Sequence, residues 1–234
     1  MQSIAERLAA IRQRIEAAAH RGGRTPSEIG LVAVSKGVEP GRIEEAYACG
    51  LRIFGENRVQ ELVAKVEALQ GRGLDALEWH MVGHLQRNKA RHVARHVTLL
   101  HSLDSLALAQ ELDRHLSRLG RTLDVLVEVN VSGEPTKWGV RPDEAPALVR
   151  AVAAVPTLRV VGLMTVGPLT DDQQAVRAAF RSLRLLRDRI REEGWAGPDF
   201  VHLSMGMSSD FEVAIEEGAT LIRIGTALFG PRAG

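Results

Sequence analysis

The sequence has a single cysteine, Cys49, which excludes an internal disulfide framework and fits a reducing cytoplasm. It has almost no net charge. Thirty Lys and Arg stand against 29 Asp and Glu, a formal +1, so no strong field favours nucleic acid or an anionic membrane. No apolar run is long enough to span a bilayer, and the opening "MQSIAERLAAIRQRIEAAAH" carries charges throughout, unlike the apolar core of a signal peptide. No G-x-G-x-x-G follows the first strand-like run and no G-x-x-x-x-G-K-[ST] occurs, which excludes a dinucleotide fingerprint and a P-loop. A soluble cytoplasmic protein with neither nucleic acid nor membrane as partner is expected.

What is present is a regular alternation. Of 234 residues 45% are hydrophobic, enough for a substantial core. After a first amphipathic helix (roughly 3–20), eight apolar runs follow in order: "LVAVS", "RIFGE", "WHMVG", "VTLLHSL", "LDVLVEVNV", "LRVVGLMTV", "FVHLSM" and "TLIRIGTAL". Helix-period segments such as "NRVQELVAKVEALQ" and "SLALAQELDRHLSRLG" separate most of them. Near-continuous Val/Ile/Leu strands alternating with helices mean a parallel sheet covered by helices, and eight units in this length favour a closed α/β barrel, (β/α)8. With no linker or low-complexity segment, residues 1–234 are expected to form one domain.

In such a barrel, ligands are held at the C-terminal strand ends, and phosphate sites favour the loops after strands seven and eight. The loop after strand seven reads "LSMGMSSDFE". Its glycine would let backbone approach a ligand, and Ser208 or Ser209 could cap an anion-attracting helix, Ser209 with Glu212 fitting a capping box. After strand eight, "RIGTALFG" offers Gly225 and Thr226. Lys36 ends strand one, the neighbour of strand eight in a closed barrel. An amine facing a phosphate cradle is the arrangement that holds pyridoxal phosphate as a Schiff base. Arg223 interrupts "LIRIG", and a guanidinium inside a barrel must be paired. Its partner is either a cofactor ring nitrogen or a carboxylate, Glu128 or Glu56.

The segments "AVSK", "FGENRVQE", "WHMVGHLQRNKAR", "EVNVSGEPTKWGV", "GLMTV" and "LSMGMSSDFEVAIEEGATLIRIGTALFG" follow in order a pattern that resembles the YggS/PROSC family of pyridoxal phosphate homeostasis proteins. The resemblance covers nearly the whole chain. It implies a barrel like the N-terminal domain of alanine racemase, with pyridoxal 5′-phosphate on Lys36. It also implies that Ser204, Gly225 and Thr226 hold the phosphate, that Arg223 faces the ring nitrogen, and that Asn57 lies near the ring. Gly37 stands where the family commonly has Thr, and Trp138 where a small residue is usual, departures expected to loosen the turn after Lys36 and to narrow the mouth. Lys137 resembles a family lysine implicated in handing cofactor on.

The inventory favours a carrier that buffers and delivers the cofactor to apoenzymes over an amino-acid racemase or lyase, and a monomer is expected. Racemisation needs acid–base groups on both faces of a carbanion. The only tyrosine, Tyr47, falls in the first barrel helix and is expected to point away, leaving His84 or His202 as substitutes. An Arg at the ring nitrogen keeps that nitrogen unprotonated and weakens the ring as an electron sink. His92 and His96 have a zinc-compatible i, i+4 spacing, but with no third ligand in pattern a solvated basic face is expected instead, and no metal.

Overall fold

The computed structural model describes residues 2–231; Met1 and residues 232–234 of the expected 1–234 unit lie outside the described residues. Eight parallel strands close into a barrel in sequence order: β1 (Gly30–Val34), β2 (Ile53–Glu56), β3 (Glu78–Met81), β4 (Leu99–Leu103), β5 (Leu123–Glu128), β6 (Leu158–Met164), β7 (His202–Ser204) and β8 (Leu221–Ile224). Six fall within the apolar runs, and β1 and β3 each begin one residue earlier, at Gly30 and Glu78. The seam is β1 on β8, in register Val32↔Arg223 and Ala33↔Ile224, so the end of the first strand does stand beside the last.

The helices are α1 (Ile4–Arg21), α2 (Pro40–Ala48), α3 (Val59–Leu69), α4 (Ala90–His96), α5 (Leu106–Leu119), α6 (Ala145–Ala153), α7 (Gln173–Glu192), α8 (Phe211–Glu216) and α9 (Thr226–Phe229). Several runs outlast their strands, such as "LDVLVEVNV", of which β5 takes only Leu123–Glu128, and the last run changes structure altogether. The ladder stops at Ile224 because Gly225 leaves the strand region (φ −113°, ψ −82°), and "TALF" becomes α9 instead of continuing β8. Helix α1 starts with a capping box: Ser3 Oγ accepts from Glu6 N at 3.2 Å and Glu6 Oε2 from Ser3 N at 2.8 Å. Its stripe Ile4, Leu8, Ile11, Ile15 and Ala18 is buried at helical spacing, and the helix packs mainly on α8 and α9.

Two apolar layers result. The larger lies between strands and helices; the smaller, Val32, Leu99, Leu126, Val161, Met164 and Leu221, plugs the lumen. Strand parity puts His80, His101, Glu128, Ser204 and Arg223 on the lumen side, above that plug and toward the C-terminal mouth. No described helix is long and apolar enough to cross a membrane.

Candidate functional site

Lys36 occupies the turn after β1, half-buried. The turn is closed by Val38 N donating to Ser35 O at 2.9 Å. Gly37 takes φ +67°, a left-handed conformation that a residue with a Cβ adopts only with strain, and its N–H donates to Glu61 Oε2 at 2.7 Å. The turn thus uses the conformational freedom that Gly37 brings and is tied to α3 through its backbone N–H. Lys36 lines a cavity of about 310 Å³ together with Asn57, Ser208, Arg223, Gly225 and Thr226. A neighbouring cavity of about 210 Å³ shares Lys36, Gly225 and Thr226 and adds Arg42 and Phe229.

Five of the six site residues expected from the sequence thus meet in one space. Ser204 does not line it. Its fully buried hydroxyl sits in the lumen, accepting from Arg223 Nη1 at 2.6 Å and lying 2.8 Å from His101 Nδ1, while His101 Nε2 lies 2.9 Å from His80 Nδ1. A guanidinium only donates, so Ser204 Oγ accepts from it and keeps its own O–H free to donate to His101 Nδ1, an arrangement in which His101 Nε2–H donates to His80 Nδ1. Both imidazoles must then be neutral, and burial does push them that way: His80 down to about 3, helped by His202, and His101 well below its ordinary value. Arg223 Nη2 donates to Thr165 O at 2.8 Å. Burial lowers its pKa to about 10, against the opposing charges of Glu128 and Asp210, so it remains a cation at neutral pH.

Of the two carboxylates proposed as partners for Arg223, Glu56 is taken. It accepts from Lys65 Nζ and from Ser35 Oγ, both at 2.6 Å, and Lys65 also donates to Ser35 O at 2.6 Å. This buried knot fixes the residue next to Lys36. Sequence reasoning missed it, although the signal was there: Lys65 interrupts the stripe Leu62, Leu69 on the buried face of α3. Glu128 acts on Arg223 through its charge, with no direct ion pair among the described residues.

The loop after β7 differs from expectation. Helix α8 begins at Phe211 behind Asp210, whose Oδ1 accepts from Met207 N, and Glu212 turns outward to a two-pronged pair with Arg14 at 2.8 Å. The Ser209–Glu212 capping box does not form. Gly206 (φ +92°) faces α8, where a Cβ would come within 2.6 Å of Ala214 Cβ, so packing and conformation require it. Ser208 Oγ accepts from Ala227 N at 3.3 Å and ties this loop to α9.

The remaining candidates fall around or away from the mouth. Lys137 Nζ is held by Glu134 Oε1 at 2.7 Å and Gly167 O at 2.8 Å, no loose surface lysine. Trp138, 59% exposed, stacks on His84 with centroids 3.7 Å apart. His202 Nδ1 lies 3.1 Å from Thr220 Oγ1. Tyr47 accepts from Ala76 N at 3.3 Å and packs on Arg52, at the opposite, N-terminal end of the strands. His92 and His96 sit among Arg91, Arg95 and Lys89, and no group of three potential metal ligands occurs among the described residues.

Residues 7–233 match the family described as "Alanine racemase, N-terminal domain". A pyridoxal phosphate homeostasis protein of Aquifex aeolicus is 49% identical over 97% of both chains, and one of Pseudomonas aeruginosa 45% identical over 99% of this chain and 97% of that one. Among solved structures, PipY of Synechococcus elongatus, determined with PLP bound, superposes with a TM-score of 0.85 at 38% identity, over 97% of this chain and all of that one. The chain belongs to the alanine racemase N-terminal-domain family and, within it, to the pyridoxal phosphate homeostasis proteins of the YggS/PROSC type.

Proposed function

We propose that this chain binds pyridoxal 5′-phosphate as a Schiff base on Lys36 and holds and delivers it in the cytoplasm to apoenzymes, as a monomer and without turning over amino acids. The carrying observation is that Lys36, Arg223 and the turns at Ser208 and Gly225–Thr226 line one cavity. The donor set fits the group: a primary amine, a fixed guanidinium, and hydroxyls and backbone N–H groups of the kind a phosphate takes. When bound, the cofactor supplies an aldehyde carbon able to link reversibly to an amine. The chain's own residues do the rest. The Ser35–Glu56–Lys65 knot fixes the turn that carries Lys36, Ser208 and Thr226 would offer hydroxyls to a phosphate, and Asn57 would stand beside the group as another lining residue.

Arg223 favours carrying over turnover. With a pKa of about 10 it donates a hydrogen bond without surrendering its proton, so it does not turn a ring nitrogen into a strong electron sink. Tyr47, at the far end of the barrel, is no partner for Lys36. The protein incubated with cofactor should show an imine absorbance band that borohydride converts into a non-dialysable adduct, and Lys36→Ala should abolish both. Sustained change of optical rotation with single amino-acid enantiomers would remove the carrier reading.

A further inference from the structure

A further cavity of about 210 Å³, distinct from the two that Lys36 lines, is lined by Glu128, Asn130, Thr136, Lys137 and Trp138. Val166 lines both this cavity and the larger one that holds Lys36, so the two adjoin. Glu128, at the end of β5, is only 6% exposed, and its Oε2 has no hydrogen-bond partner. A buried carboxylate oxygen left open is costly, and a cationic donor offsets that cost. Lys137 shares the wall, but Glu134 and Gly167 O already take its ammonium. Trp138, in the same lining, lies flat on His84, at 9° between planes, with His84 Nδ1 3.2 Å from Asp104 Oδ2. Asp104 is also near enough to act on Glu128 through its charge.

We infer that this cavity is a subsite for a small primary ammonium, with Glu128 accepting its N–H groups and the Trp138–His84 stack closing over it. Its chemistry is that of a simple amine or of the amino end of a small amino acid. A metal ion is disfavoured because the described residues hold no group of three suitable ligands, and an anion because the open atom is an acceptor. The placement gives an amine-bearing ligand a seat next to Lys36. That significance rests on the proposed cofactor site, whereas the binding itself does not.

The test uses the full chain without cofactor, following the Trp138 indole N–H signal by NMR during titration with ethylammonium, glycine or propionate. Ethylammonium should bind saturably and propionate should not. Glu128→Gln should weaken ethylammonium about tenfold, the cost of losing a charged hydrogen-bond partner. Trp138→Ala, at an exposed position, should weaken it about threefold, followed then through the Asn130 amide signals. Glycine binding more tightly than ethylammonium would identify an amino-acid ligand, and more weakly a plain amine; both agree with the subsite. Equal binding of propionate, no saturation by ethylammonium, or an unchanged affinity in Glu128→Gln would overturn it. So would loss of the borohydride-fixed Lys36 adduct in Glu128→Gln, since Glu128 would then serve the cofactor cavity. Failure of ethylammonium to bind would leave the Lys36 adduct test untouched.

Discussion

Single side chains decide how charge is managed under the mouth. Glu56 and Lys65 are both buried, and Lys65 and Ser35 both donate to Glu56 Oε1 while Oε2 has no hydrogen-bond partner, so the pairing offsets the two desolvation costs only in part. Burial already pushes the Glu56 carboxyl up despite its partner. Lys65→Met leaves that carboxyl alone and should cost about 3–5 kcal/mol at pH 8. The loss should shrink at pH 5, where Glu56 can take a proton, and urea unfolding at the two pH values reads the difference. Glu128 gives a contrasting case. Burial first, and Asp104 second, raise it to about 7 from an ordinary 4.5. The folded state then binds its proton more tightly than the unfolded chain, so stability falls as pH rises through that window and levels off above it. Relative to Glu128→Gln, the wild type should lose up to about 3 kcal/mol between pH 4.5 and 7.5. A flat difference would mean Glu128 titrates normally.

At the scale of elements, the turn after β1 is where backbone and site meet. Gly37 holds φ +67° so that Lys36 leaves the strand toward the cavity while Glu61, on α3, receives the Gly37 N–H. Gly37→Thr puts a β-branched side chain in the left-handed region and should cost about 1–3 kcal/mol, unless the turn rearranges. Thermal unfolding measures the cost, and the yield of borohydride adduct reports whether Lys36 keeps its aim. Strands were legible because parallel strands buried on both faces write themselves as unbroken apolar runs. The choice between Ser204 and Ser208 was not. Both stand in "LSMGMSS", and only the parity of β7, which turns Ser204 into the lumen toward His101 and Arg223, separates a serine that positions the guanidinium from one that borders the cavity. The Lys65–Glu56 pair was hidden for a related reason, since it joins a helix to a strand at positions no local period connects.

For the molecule as a whole, closure of the barrel is what brings the ends of β1, β7 and β8 to one cavity, and α1 reinforces that closure from outside. It packs on α8 and α9, and Arg14 and Arg21 pair with Glu212 and Glu216 of α8. The turn leading into α8 carries Ser208 and α9 opens on Thr226, and β7 itself meets β8 through the single register pair Ser204↔Leu221. By contrast β5 and β6 share a long ladder from Leu123↔Leu158 to Glu128↔Met164. Leu8, buried against this region, should therefore matter locally as well as globally. Leu8→Ala should cost about 2–5 kcal/mol for the lost methyl groups and the cavity left behind. If α1 is a clamp on the phosphate turns, hydrogen exchange in this variant should accelerate first across residues 205–230, while the β5–β6 ladder keeps its protection. Acceleration spread evenly over the barrel would instead mean that α1 contributes only to global stability, and that the two turns are held by the strands alone.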